Sequence, residues 1–298
     1  EIAKHLVARR SDVSVLLVTG SPAMHAFSVP ARIDTLKLPC LSRDTEGRYG
    51  ARSLPLSLAQ TVKMLANLIR SAFQDFEPDL VLVDKKPFGV EDELAGTLAA
   101  MPPGAKLPKL MLLLRDILDE PRRTRHVWRK NGCFEAIDAY YDEVLVVGSE
   151  SVFDLKREYD FPPFAAAKLR YCGYIARPPS ACSRADVRKR WGVPTDAPWL
   201  LVTPGGGEDG QTLVDTALRG WLALPAVDRP RMHVGSGPEM PAAAREQLAS
   251  MAKDRPGLTV QTFCDDMMAL HGAADVVLAM GGYNTVCEIL SSGGRAVL

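Results

Sequence analysis

The sequence predicts an α/β protein made of two doubly wound domains with parallel sheets. Three observations predict it. Short continuous apolar runs alternate with amphipathic stretches, the rhythm of strand–helix units. That rhythm breaks once, at 171–179 (YCGYIARPP), and then restarts. The chain is 298 residues long, about two domains at ~150 residues each.

Composition narrows the function classes. Apolar residues make up 47% and charged residues 24%, as in an ordinary globular protein, so long disorder, collagen and a coiled-coil rod are excluded. Thirty-six basic residues balance 36 acidic ones, whereas a protein that grips phosphate backbones carries a basic excess, so no nucleic-acid partner is expected. No apolar run approaches the ~20 residues of a spanning helix, so no transmembrane segment is expected; a local patch could still make peripheral membrane contact. The cysteines, at 40, 133, 172, 182, 264 and 287, form no C-x-x-C pair and have no zinc spacing. They read as reduced thiols in the cytoplasm.

In the first half, residues 1–10 (EIAKHLVARR) read as the middle or end of a helix. Residues 13–19 (VSVLLVT) are β-branched and continuous, as a buried parallel strand should be. A second strand is expected at 33–38, ending at Pro39. Residues 57–76 form the clearest helix, with Leu58, Val62, Leu65, Ile69, Ala72 and Phe76 at three- and four-residue steps and Ser57 as its cap. Strands follow at 80–84, 109–114 and 143–147. Helices are expected at 91–100 and 128–140, and from Ser151 to about Tyr159. An α/β domain ordinarily opens with a strand and a binding turn, so the reading expects that piece ahead of Glu1, and further chain after Leu298.

The Gly and double Pro at 171–180 suit an interdomain linker, dividing the chain into domains 1–170 and 181–298. In the second, strands are expected at 199–203, 231–234, 258–261 and 275–279, with a last one opening at Arg295. Helices are expected at 211–224, 242–252, 267–272 and 285–292.

Ligands of doubly wound domains bind beyond the carboxyl ends of the strands. Four strand ends in the second domain carry candidate turns. The first is TPGGGEDG, where Gly205, Gly206 and Gly207 let backbone N–H groups approach an anion at a helix N-terminus; the plainer reading is a flexible turn. The second is HVGSGP, with Gly235, Ser236 and Gly237; the plainer reading is a tight turn, with His233 a hydrogen-bonded core histidine. The third is FCDDM, where Asp265 or Asp266 would cap the next helix, and two adjacent carboxylates alone are poor support for a metal. The fourth is MGGYNTVCE. Gly281 and Gly282 open it, and Thr285 with Glu288 has the spacing of a capping box. The functional alternative places the helix N-terminus at a diphosphate, with Glu288 accepting ribose hydroxyls.

The run from Phe263 to Gly293, FCDDM followed by ADVVLAMGGYNTVCEILSSG, resembles the carboxy-terminal domain of family 28 glycosyltransferases, the peptidoglycan-precursor N-acetylglucosaminyltransferase type. It is more similar still to a bacterial group of predicted glycosyltransferases. The resemblance covers roughly 199–298 closely and 1–170 mainly in architecture. It implies GT-B architecture, two Rossmann-like domains facing across a cleft. By resemblance, Glu288 holds the nucleotide ribose. Gly281, Gly282, Asn284 and Thr285 meet the diphosphate and sugar, Phe263 and Met267 contact the base, and Gly205–Gly207 and Gly235–Gly237 are the remaining donor turns. The implied reaction transfers a hexosyl group from a nucleotide diphosphate sugar, a UDP-sugar by preference, to a hydroxyl acceptor. Inversion is implied, and neither cofactor nor metal is expected. The family's general base would lie before Glu1 and its sugar-reading residues after Leu298.

In the first domain, Arg115 and Asp116 follow a strand on the acceptor side. Arg115 would meet an anionic acceptor or diphosphate, and Asp116 would orient a hydroxyl or serve as the base; the plainer reading is a surface Arg–Asp loop. Lys85 and Lys86 close another strand and would attract a phosphorylated acceptor or simply face solvent. Residues 43–52 read as a mobile loop. A nucleotide-sugar epimerase or hydrolase, or a non-catalytic nucleotide-sugar-binding subunit, is the alternative. A dinucleotide oxidoreductase is disfavoured, because no G-x-G-x-x-G with its downstream acid is present.

Overall fold

The computed structural model describes residues 1–22, 24, 28–43, 48–101, 108–264 and 266–298. The chain divides into two compact units, Glu1–Ile175 and Ala176–Leu298.

The first unit opens with helix α1 (Ile2–Arg9), then strands β1 (Val15–Thr19) and β2 (Ile33–Lys37), which pair in parallel. An antiparallel hairpin follows, β3 (Leu41–Arg43) with β4 (Tyr49–Ala51), where a loop was expected; residues 44–47 of that stretch lie outside the described residues. Helix α2 (Leu58–Phe76) starts after Ser57, the expected cap. The Gln60 amide donates to Ser57 Oγ at 3.2 Å and the Ser57 amide to Gln60 Oε1 at 3.0 Å, a complete capping box. Next come β5 (Leu80–Asp84), α3 (Ala95–Ala99), β6 (Lys109–Arg115), α4 (Pro121–Lys130), α5 (Cys133–Tyr140), β7 (Glu143–Val147), α6 (Leu155–Glu158), α7 (Pro163–Ala166) and β8 (Leu169–Tyr171). Strands β5, β6, β7 and β8 form one parallel sheet in that order.

Several expectations need correction. The helix expected at 128–140 is two helices, because Gly132 takes a left-handed φ of 61° and opens α5 anew. The helix expected from Ser151 starts only at Leu155, where the Asp154 carboxylate accepts the Lys156 and Arg157 amides. The helix expected at 91–100 shrinks to α3. The first unit's parallel strands do not form one sheet. Among the described residues no strand bridges β1 to β5, and Leu17, Val18 and Leu80 remain exposed.

The second unit carries α8 (Arg184–Arg190), β9 (Trp199–Thr203), α9 (Gln211–Ala223), β10 (Arg231–Gly235), α10 (Ala242–Lys253), β11 (Leu258–Gln261), α11 (Met267–Ala273), β12 (Val276–Ala279), α12 (Tyr283–Ser292) and β13 (Ala296–Val297). Helix α8 was not expected; Ser183 caps it by accepting the Asp186 amide. The strands form one parallel sheet ordered β11-β10-β9-β12-β13. Leu201, Val202, Val234 and Val277 are fully buried in it, as continuous apolar strands between two helical layers should be.

His233 lies on β10, 1% exposed, with a ring centroid 4.5 Å from that of Trp191. It was expected to be a hydrogen-bonded core histidine, but neither ring nitrogen has a partner. Burial pushes its pKa down to about 4. The unfolded chain therefore binds a proton near pH 6.5 that the folded chain refuses until about pH 4, so stability falls as pH drops through that window. Unfolding free energy should be about 2 kcal/mol lower at pH 5 than at pH 7 from this residue alone. His233→Phe should remove that part of the slope in urea titrations at the two pH values; an unchanged slope would contradict this account.

Candidate functional site

The sheet order of the second unit places a site before any ligand is considered. Strand β9 is followed by β10 and β11 on one side and flanked by β12 and β13 on the other. The winding direction reverses between β9 and β12, and a crevice opens at the carboxyl ends there. Thr203 closes β9 opposite Ala279 of β12, so the turns through Gly205 and through Gly281 leave side by side. The two approach closely: a β-carbon on Gly205 would lie 3.7 Å from Thr285 Oγ1.

Two helices begin at this point. Helix α9 starts from Gly210 and α12 from Gly282, glycines that carry no side chain to cap the first turn. The capping box that Thr285 and Glu288 could have formed is absent, because α12 begins two residues before Thr285. Helix N-termini present N–H groups and partial positive charge to an incoming anion. Gly205, Gly206, Gly281, Gly282 and Asn284 are exposed here, with Thr285 half-buried.

Glu288 sits further along α12, its side chain 18% exposed. Its Oε1 accepts Arg177 Nη1 at 2.5 Å, while Oε2 has no partner among the described residues. A carboxylate so held keeps one oxygen for hydroxyl donors. Its negative charge is offset, so the pair repels a nearby diphosphate less than a bare Glu would. Sequence reasoning missed Arg177 because it stands inside the Pro-containing linker, with no spacing that ties it to a residue 111 positions away. Ser180 of the same segment donates to Asp266 Oδ2 at 3.1 Å, and Asp266 Oδ1 caps α11 by accepting the Ala269 amide at 3.1 Å. Asp265 lies outside the described residues. Phe263 and Met267 flank this cap, half-buried.

Not every expected donor residue lines the crevice. Gly207, Ser236 and Gly237 are buried. The Gly207 and Gly237 turns interlock so tightly that a β-carbon on Gly207 would lie 2.3 Å from the Ser236 carbonyl oxygen, and one on Gly237 2.3 Å from that of Gly206. The Glu239 amide closes the lock on Gly206 O at 2.8 Å. Gly235 ends β10, paired with Gln261. These glycines shape the exposed turn from beneath.

In the first unit, Arg115 and Asp116 face opposite ways at the end of β6. Asp116 is fully buried. Its Oδ1 accepts the Ile117 amide at 2.8 Å and its Oδ2 the Tyr174 hydroxyl at 2.6 Å. It also packs where any side chain on Gly148 would stand. The surface Arg–Asp loop is thus corrected: Asp116 braces the chain beneath the surface, while Arg115 is half-buried.

No family model matches the chain. Over 112 residues it is 32% identical to the UDP-N-acetylglucosamine–N-acetylmuramyl-(pentapeptide) pyrophosphoryl-undecaprenol N-acetylglucosamine transferase of Corynebacterium efficiens, covering 37% of this chain and 28% of that protein. The enzyme of the same name from Verminephrobacter eiseniae is 30% identical over 136 residues, 45% of this chain and 36% of that protein. The chain thus matches about a third of the length of these curated relatives. Among solved structures, the lipopolysaccharide-biosynthesis glycosyltransferase WaaG aligns over 99% of this chain and 74% of its own, with TM-score 0.54 and 15% identity. The kitacinnamycin glycosyltransferase aligns over 100% and 75%, with TM-score 0.55 and 16% identity. The UDP-GlcNAc 2-epimerase of Neisseria meningitidis aligns over 96% and 82%, with TM-score 0.54 and 11% identity. At these identities the likeness is one of fold: an α/β chain of the GT-B class.

Proposed function

We propose that this chain belongs to a glycosyltransferase that moves a hexosyl group from a nucleotide diphosphate sugar, a UDP-sugar by preference, to a hydroxyl acceptor, without a metal and with inversion. One observation carries the reading: two helix N-termini opened by glycine and an Arg-held glutamate meet at the switch point of the second unit's sheet. Glu288 Oε2 accepts the ribose hydroxyls, and the exposed amides of the Gly205 and Gly282 turns receive the diphosphate. As the glycosidic bond breaks, charge builds on the β-phosphate, and the N-termini of α9 and α12 stabilise it where it forms. The attacking hydroxyl loses its proton to a base. Asp116 is not assigned that role, because it is buried and both its oxygens are occupied. Names of the partial relatives favour UDP as the leaving group.

The epimerase fold neighbour does not shift this reading. Epimerisation needs groups that move a proton on the sugar, and the histidines of the second unit, His233 and His271, are both buried. Calorimetric titration with UDP, GDP, dTDP and ADP in EDTA tests the reading. One diphosphate should bind without metal, and binding of none by folded protein would overturn it.

We place the enzyme in the cytoplasm, where reduced cysteines persist; none of the six forms a disulfide. No helix among the described residues is long and apolar enough to cross a membrane. Peripheral contact with anionic lipid is supported by a groove of about 550 Å³ along α4, lined by Arg122, Arg125, His126, Arg129, Lys130 and Asp160, beside exposed Val127. Sedimentation with phosphatidylglycerol vesicles should carry the protein down. Phosphatidylcholine vesicles should not, and the double variant Arg125→Glu/Arg129→Glu should stay in solution. Equal sedimentation with both lipids would refute the contact.

A further inference from the structure

A second glutamate of the second unit lies against the turn that receives the diphosphate. Glu239 follows β10, and its amide donates to Gly206 O at 2.8 Å, so its backbone is fastened to the glycine turn of β9. Its side chain folds back over that turn. Glu239 Oε2 lies 3.1 Å, and Cδ 3.7 Å, from where a β-carbon on Gly206 would stand. Gly206 is exposed and Glu239 is half-buried. The neighbouring Gly205 has Thr285 Oγ1 at 3.7 Å from its own β-carbon position. One glycine of the turn thus lies against α12 and the next against a carboxylate.

The Glu239 carboxylate has no hydrogen-bond or ion-pair partner among the described residues. Glu288 differs, since Arg177 holds its Oε1. Glu208 and Asp209 stand on the same loop as Gly206, but both are exposed, where water and salt screen them. The half-buried Glu239 charge is screened less. Beside a phosphate-binding turn it opposes an anion in proportion to the anion's charge. The donor and the spent nucleotide differ in that charge. In a nucleotide diphosphate sugar the β-phosphate is esterified and carries one negative charge. When the glycosidic bond breaks, its electron pair stays on the β-phosphate oxygen, and the freed terminal phosphate approaches a double charge near neutral pH.

We propose that Glu239 selects by charge at the donor site, disfavouring the released nucleoside diphosphate relative to the esterified diphosphate of the donor, an inference that rests on the transferase reading above. The N-termini of α9 and α12 stabilise the charge that grows as the bond breaks, and the same N-termini would hold the product tightly. The carboxylate over Gly206 offsets that hold once the charge is complete, and the spent nucleotide leaves.

Two probes isolate the charge. UDP and its β-methyl ester share base, ribose and diphosphate and differ in the ionisation of the terminal phosphate, so the donor sugar need not be known. The pair is made in another base if the four-way titration selects one. In calorimetry with EDTA, Glu239→Gln should bind UDP about fivefold more tightly than wild type and the ester within about twofold of wild type. Glu239→Asp keeps the charge and should bind UDP within about twofold of wild type. The double variant Glu208→Gln/Asp209→Asn should change UDP binding by less than about twofold, because its charges are screened. Glu288→Ala should weaken both probes alike, since it acts at the ribose. Unchanged or weaker UDP binding in Glu239→Gln, an equal gain for the ester, an equal gain in the double variant, or an ester that binds neither protein would overturn the proposal. If UDP binds and Glu239→Gln does not separate the two probes, the selectivity alone falls. If no diphosphate binds the folded protein, it falls together with the transferase reading.

Discussion

Gly237→Ala should destabilise the second unit by about 3 kcal/mol or more, enough to remove much of a small domain's stability. Two effects add. The backbone holds φ at 84°, where an L side chain is strained. The new methyl would also sit 2.3 Å from Gly206 O and 2.6 Å from Gly205 O, and those atoms are backbone that cannot swing aside. The only relief is to part the two glycine turns, which would break the Glu239–Gly206 bond and move the exposed amides of the Gly205 turn. Gly207→Ala should behave alike, since its β-carbon would meet Ser236 O at 2.3 Å. Gly282 supplies the control, because its φ is −59° and nothing lies within 4 Å of an added β-carbon. Gly282→Ala should change stability by less than about 0.5 kcal/mol. Urea unfolding of the three variants checks this. A wild-type midpoint for Gly237→Ala would show that the turns do not interlock.

Arg188→Met should cost a similar amount, about 3 kcal/mol. Arg188, on α8, is 1% exposed and sits by the amino ends of the central strands β9 and β12. Its guanidinium donates to Pro194 O at 3.1 Å, Ala273 O at 3.1 Å and Asp275 Oδ2 at 3.4 Å, and also to Ala197 O. Asp275 in turn accepts the Trp199 amide at 2.7 Å, the first residue of β9. A methionine would fill the space but leave the buried Ala273 carbonyl and the part-buried Pro194 and Ala197 carbonyls without this donor, and the Asp275 carboxylate without its inner cation. Lysine keeps the charge but cannot span a fork of acceptors, so Arg188→Lys should fall between wild type and Arg188→Met. Chemical denaturation ranks the three. If the methionine variant matched wild type, the Arg188 cluster would contribute nothing to folding.

How much of this was legible depends on whether the signal was local. The Ser57 cap and the stripe of α2 are local, and the helix begins and ends where they put it. The second unit's strands were legible for the same reason, since continuous β-branched runs between two helical layers need no partner to be recognised. The turns at their ends could be located but not sorted. Nothing in GGG or GSG says that Gly207 and Gly237 lie against each other while Gly205 and Gly206 face solvent; that is a tertiary fact. The Thr285–Glu288 spacing was misleading because Gly282 starts the helix earlier and releases Glu288 to Arg177. Gly132 and the Ser183–Asp186 pair were readable local signals, the first lost in a stretch taken as one helix and the second in a stretch of the second domain given no element. Asp116 looked like a surface acid because an Arg–Asp pair is common in loops; only the packing of Gly148 and Tyr174 around it shows that it points inward.

The second unit's switch-point crevice should hold a nucleoside diphosphate through Glu288. The direct measurement is calorimetric titration of UDP in EDTA into the wild-type chain and Glu288→Ala, both checked for folding by circular dichroism. Metal-independent binding weakened at least tenfold in the variant, a loss of about 1.4 kcal/mol or more, is the predicted result. Equal binding by the two proteins, or none by folded wild type with any of the four diphosphates, would contradict it.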